Sequence, residues 1–261
     1  MISGIWNTLI YEPLYNGFIF LADLLPWADL GLIIILFTII IKFILFPLSL
    51  KSVRTQQAMK KIQPEIDALK KKYKDDKQQQ AIETMDLYKK HGIKPFSGIF
   101  LVFIQIPIVF GLYFIFLKGG FPDIQEDILY SFVDVPALIK LKFLGIADIT
   151  QKSLILALMT GITQFLHSQI SLGKDEKTDK NKKNKQPNSM KDDFMKTLKL
   201  QMRYGLPVLI TFIAYSLSGA IALYWTTSNI FHIVQELYVK KMLKKEEEPN
   251  DLVIEAENIS V

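Results

Sequence analysis

Between Tyr204 and Gln235 the chain carries no Asp, Glu, Lys or Arg for 32 consecutive residues. An α-helix of that length would run ~48 Å, well beyond the ~30 Å of a bilayer's hydrocarbon core. The run therefore reads as two spans broken at Ser218-Gly219, each borrowing a turn from its charged flank, where Lys199 and Arg203 can reach toward the interface. Charge-poor stretches of about 20 residues, the length that crosses a bilayer, recur at 30–50, 96–117 and 153–170. Half the residues are apolar, but it is their segregation from dense charge clusters that assigns the class. The expectation is an all-α polytopic membrane protein with five transmembrane helices: 30–50, 96–117, 153–170, 204–218 and 219–239.

Loop charge sets the orientation. Residues 51–95 hold twelve Lys/Arg against six acids, and 171–203 hold ten against five. Residues 1–29 hold no basic residue and three acids, while 118–152 hold four basic against five acidic. Basic loops stay cytoplasmic, which puts the N-terminus outside and the C-terminus inside. The lysines 240, 241, 244 and 245 of the tail 240–261 agree. Within 1–29, residues 4–27 are apolar but interrupted by Asn7, Glu12, Pro13, Asn16 and Asp23, which suits a helix in the outer interface anchored by Trp6 and Trp27 better than the alternative, a sixth span. The N-terminus lacks the basic region of a cleaved signal and the Arg-rich pattern of a transit peptide, so the simplest compartment is a bacterial plasma membrane.

In the loop 51–95, Met59, Ile62, Ile66, Leu69 and Tyr73 recur at steps of three and four, one apolar seam on a helix coated with Lys and Gln. KDDK (74–77) interrupts it, and Ile82, Met85 and Tyr88 resume a seam before His91-Gly92. Two antiparallel helices zipped along these seams form a cytoplasmic hairpin, whose basic outer face suits anionic lipid headgroups or RNA. The loop 171–203 and the tail after Lys245 are too polar to bury a core and read as flexible segments without fixed structure.

Within the spans, polar residues keep to the inner half. Thr38 and Lys42 share a face of the first span, and Gln105 lies in the second. Thr160, Thr163, Gln164, His167 and Ser168 stripe the third, and Trp225, Ser228, Asn229, His232 and Gln235 the fifth. The outer halves, such as LGLIIILF (30–37) and IPIVFGLYFIF (106–116), are nearly bare. Stripes that face one another only in the inner leaflet enclose a wet recess open to the cytoplasm. Lys42 demands one, because a cation inside a span costs roughly 3 kcal/mol on insertion scales. Lys51 lies nine residues on, or ~13.5 Å along a helix, and a lysine stem of ~6 Å cannot close that gap. The expectation is that no Asp or Glu lies within any span to pair with Lys42, leaving a water-solvated cation that docks anions. Pro47 cannot donate to the Phe43 carbonyl and frees an acceptor nearby.

Three motifs give the chain a family likeness. KIQPEIDALKKKYKDDKQQQAIETMDLYKKHGIKPFSGIFLVFIQIPIVFGLY (61–113) resembles the hairpin and following span of the YidC/Oxa/Alb membrane protein insertases, in the short bacterial form. SGAIALYWTTSNIFHIVQ (218–235) resembles that family's last span, and FPLS (46–49), after a mid-span basic residue, its first. The likeness covers about 5–245. Lys42 stands where the family has arginine, keeping the charge but losing the bidentate fork. Ile99 and Leu101 stand where a Cys and a Pro are common. The resemblance implies an energy-independent insertase with a positively charged groove open to cytoplasm and lipid. Lys42 would attract acidic residues of a nascent membrane protein, and Thr38, Gln105, Gln164, His167, Trp225, Ser228 and Asn229 would line the groove. The implied partners are nascent membrane proteins, ribosome and targeting factors at the cytoplasmic loops and tail, a Sec translocon, and lipids, with the monomer as the working unit.

Other classes find less support. Without cysteine there is no disulfide or thiolate chemistry. His91, His167 and His232 are too scattered for a metal cage, so no metal, cofactor or catalytic residue is expected. An anion transporter using Lys42 as its site is the alternative, but such folds show internal repeats with matched broken helices, and none is visible here. Ser228 and His232 lie one turn apart without a third orienting group, too little for a hydrolase.

Overall fold

The computed structural model describes residues 2–94, 97–118, 124–172, 197 and 200–259. Helices α1 (Ile2–Trp6) and α2 (Glu12–Leu24) are joined by a π-helical turn, Asn7–Tyr11. They are followed by α3 (Leu30–Ile44), α4 (Phe46–Lys61), α5 (Gln63–Lys72), α6 (Lys77–Lys90) and α7 (Ser97–Lys118). A two-stranded antiparallel ribbon, β1 (Lys142–Phe143) with β2 (Ala147–Asp148), precedes α8 (Leu154–Leu172). A second π-helical turn, Gln201–Gly205, leads into α9 (Leu206–Ser216), and α10 (Gly219–Ile259) closes the chain. By length and composition one helix among the described residues, Leu154–Leu172, can cross a membrane, or two if α3 and α4 form one broken span. The chain divides into two compact units: Met1–Lys42 with Ile108–Val234, and Phe43–Pro107 with Gln235–Val261.

The core of the first unit is aromatic and aliphatic. Tyr15, Phe18, Ile19 and Ala22 fall on one face of α2 at helical spacing and are buried. The Phe18 ring meets Phe37 of α3 and Phe116 of α7 edge-on, at 5.5 Å in each case. Residues 2–24 therefore pack as part of this unit. Of the two expected anchors, Trp6 lies edge-on to Phe114, and Trp27 is exposed.

Polar residues in this apolar segment tie down the stretch 124–153. Asn16 donates to the Ile128 carbonyl and accepts from the Tyr130 amide, while the Tyr15 hydroxyl accepts from the Gln125 amide. The Asp29 carboxylate accepts from Leu32 N at 3.0 Å, capping α3, and from Leu144 N at 2.9 Å. Gly31 makes that approach possible, since a Cβ there would collide with the Phe143 ring. α9 ends at Ser216 with Leu217 extended, and α10 starts at Gly219, its first amides taken by the Gln151 and Ile149 carbonyls. α8 and α9 pack closely at Gly161, where a Cβ would collide with the Thr211 hydroxyl.

In the second unit the expected hairpin is α5 and α6, with α4 leading in. The first seam holds: Ile62 and Ile66 are buried with Ile93, against Ala58, Met59, Leu87 and Tyr88. The second differs, because Ile82 and Met85 are exposed and only Tyr88 of that trio packs inward. The face of α6 turned inward follows 79/80, 83/84 and 87/88, and toward its start it is polar, with Gln79 and Tyr73 both donating to Glu83. Steps of three drift off a helix face, whereas the inward stripe of α6 recurs every four residues. Asp76 caps α6 by accepting from the Gln79 amide.

Two further expectations change. The first span is not one helix to residue 50: it breaks at Leu45, and Pro47 falls in the first turn of α4, where its missing amide costs nothing. The tail is not without structure, since α10 continues to Ile259 through Lys- and Glu-rich sequence of high helix propensity. Most of the basic segment 171–203 lies outside the described residues.

Candidate functional site

Lys42 occupies the last turn of α3 and is 3% exposed. Its Nζ lies 3.1 Å from Nε2 of His232 on α10. An ammonium has donors only, so when Lys42 is charged Nε2 must be the acceptor and the imidazole must carry its proton on Nδ1. The His167 ring of α8 stacks on His232 with centroids 5.5 Å apart and planes 19° apart. Three helices thus converge on one cation. Against the expectation of a cation solvated in a water-filled recess, Lys42 is largely enclosed by protein and lies against an imidazole. His167 and His232 meet across 65 positions of sequence.

Away from Lys42, α8 and α10 are joined by hydroxyl and amide rungs. The buried Thr160 hydroxyl lies 2.9 Å from the Ala222 carbonyl and 3.0 Å from Thr226 Oγ1. Asn229 Nδ2 donates to Thr163 Oγ1 at 3.3 Å. The order Thr160–Thr226, Thr163–Asn229, His167–His232 rises along both helices, so the two run parallel.

The other candidates separate by surroundings. Thr38 is buried, and its hydroxyl donates to the Ile34 carbonyl of its own helix, so it offers an incoming group no donor. Ser228 and Asn229 are buried, and Gln164 and Trp225 half-buried, on the helices that carry the two histidines. Because His232 Nε2 faces Lys42, it is not placed as a base for Ser228. Gln105 is half-buried on the part of α7 that belongs to the second unit. The site residue that sequence reasoning leaves out is His232. Its signal is present, since it follows Trp225, Ser228 and Asn229 on one helical face.

The second unit has its own buried charge. Glu236, just past the charge-free run yet inside the bounds of the fifth span, is 3% exposed. Its Oε1 accepts from Gln57 at 3.0 Å and lies 3.4 Å from Lys60 and 3.3 Å from Lys240. Burial pushes the Lys60 ammonium below its ordinary pKa; Glu236 draws it partly back and Lys240 adds to the lowering. Beside this cluster Gln235 donates to Ser49, leaving Gln235 Oε1 and Ser52 Oγ buried without a hydrogen-bond partner.

Comparison with known proteins gives the same family from two directions. The family described as "60Kd inner membrane protein" matches residues 20–247. A "Membrane protein insertase YidC" of Fusobacterium nucleatum is 30% identical over 227 residues, covering 85% of this chain and 94% of the relative. A second, from Oceanobacillus iheyensis, is 30% identical over 93% of this chain and 87% of its own length. "Membrane protein insertase MisCA" of Bacillus subtilis is 30% identical over 94% of this chain and 83% of its own length. On this breadth of match the chain belongs to the YidC-type 60Kd inner membrane protein family.

Proposed function

We propose that this chain is a membrane protein insertase of the bacterial inner membrane, receiving hydrophilic, often acidic, segments of nascent membrane proteins at Lys42. The observation that carries the reading is a cation held inside the protein at the end of an apolar helix, beside parallel helices striped with Thr, Asn and His. The family and the names of its relatives support it. The topology is five spans with the N-terminus outside and the C-terminus inside. Spans three and five then run in the same sense, a reading supported by the parallel rungs of α8 and α10. Gln164, Trp225, Ser228 and Asn229 line a recess open to cytoplasm and lipid. The hairpin captures substrate, the basic loop and tail meet ribosome, targeting factors or a Sec translocon, and the monomer suffices.

Such a recess shortens the path a polar tail must travel through ~30 Å of hydrocarbon. The apolar segment behind it drives the step by partitioning into lipid. An inside-negative potential adds ~2.3 kcal/mol per acidic charge per 100 mV.

The test is insertion into proteoliposomes of a single-span substrate with a short acidic N-terminal tail. Lys42→Ala should lower the rate about tenfold, the loss of one charge-assisted contact, while Lys42→Arg retains or improves it. Normal insertion by Lys42→Ala would remove the docking role. Anion flux through liposomes lacking substrate would favour the transporter instead.

A further inference from the structure

Lysine at position 42 raises a difficulty that arginine would not. Arginine's planar fork holds its direction through several donors, whereas lysine ends in a compact charge on a flexible stem. Something must fix where that charge points. An acid would do so but would cancel the charge and occupy the place of the substrate's own carboxylate. A neutral imidazole is an acceptor without a charge, and His232 Nε2 stands 3.1 Å from Nζ. The stacked His167 ring, with planes 19° apart, restricts rotation of His232 and so fixes the direction of its nitrogen lone pair.

We propose that His232 is a positioning residue: its imidazole, braced by the His167 ring, aims the Lys42 ammonium at incoming carboxylates while leaving its charge intact. The proposal rests on the insertase reading and deepens it. A carboxylate is the stronger acceptor for an ammonium, so a substrate acid can outcompete the imidazole, and the imidazole takes the ammonium back when the acid leaves. His232 makes this exchange possible because it is neutral.

The experiment separates the acceptor from the ring. His232→Gln supplies an acceptor but no ring; His232→Phe keeps a ring to stack on His167 but accepts nothing. If His232 aims Lys42, His232→Gln inserts the acidic-tailed substrate within about twofold of the parent and His232→Phe falls about tenfold. His232→Glu also falls, by neutralising Lys42, and Lys42→Arg in the His232→Phe background recovers the rate. If the ring matters only for packing, the order of Gln and Phe reverses, which overturns the proposal; so does equal activity of the two. A second measurement does not depend on insertion. In the parent protein in nanodiscs, 15N spectra of labelled histidine should show His232 with Nε2 unprotonated and hydrogen-bonded, and the signal should move in Lys42→Met. No movement refutes the contact. If Lys42→Ala inserts normally while that signal moves, the docking reading fails and the Lys42–His232 contact stands.

Discussion

The most deeply buried charged side chains described in the two units, Lys42 and Glu236, are each 3% exposed and are treated in opposite ways. Glu236 in the second unit has two lysines within 3.4 Å and an amide donor at 3.0 Å. Lys42 in the first is given a ring nitrogen that accepts its hydrogen bond and brings no negative charge. A carboxylate surrounded by cations is finished chemistry: its charge is answered inside the fold and it holds α4 to α10. A cation beside a neutral acceptor is not cancelled by that contact. On the proposed reading, the kind of partner rather than depth alone marks the functional charge.

Removing the partners of Glu236 tests the structural half and should give the largest effect. Lys60 and Lys240 are 32% and 35% exposed while Glu236 is 3% exposed, so the lysines can return to water and the carboxylate cannot. Lys60→Met with Lys240→Met strands a buried anion and should cost about 3 kcal/mol in unfolding free energy in detergent. The reverse change, Glu236→Gln, releases two mobile cations and keeps a polar partner for Gln57, so about 1 kcal/mol is expected. If the two costs are equal, Glu236 is not closed off as described.

Lys42→Met sharpens the other half. It removes a buried charge, which relieves desolvation, and leaves His232 short of a donor, which opposes that gain. Unfolding free energy should stay within about 1 kcal/mol of the parent while insertion of acidic-tailed substrates falls. A large loss of stability without a loss of insertion would make Lys42 the structural charge and invert the comparison.

The features readable from sequence were those whose signal is local. Lys42 stood out because one cation in an apolar helix has few explanations, and the break at Ser218-Gly219 followed from the length of one uncharged run. Ile62 and Ile66 showed their seam by alternating steps of three and four. Ile82 and Met85 misled because apolar residues three apart suggest a face that geometry does not sustain, and the real face of α6 is partly Gln and Glu. Asn16 and Asp29 looked like interruptions of a greasy segment, yet each holds backbone of a loop about a hundred residues away. The pairing of His167 with His232 is equally non-local. Periodicity reports which face a residue occupies, not what that face will meet.

The smallest expected effect is a pH dependence at Lys60, which measures how completely the lysines answer Glu236. Burial outweighs Glu236 and sets the native pKa of Lys60 below 10.5. Below the lowered value both folded and unfolded chains carry the proton, and the desolvation cost is fully present. Between that value and 10.5 the folded chain gives up its proton first, so the unfolded state binds more protons and this site's contribution to stability rises with pH. Lys60→Arg stays charged throughout and shows no such rise. Unfolding free energies of parent and Lys60→Arg, compared across the alkaline range, should diverge in the parent's favour as pH increases. Divergence the other way would mean that Glu236 holds Lys60 charged more strongly than burial opposes it, which widens the contrast with Lys42. Parallel curves would mean Lys60 contributes no titration, leaving Lys240 as the main answer to Glu236.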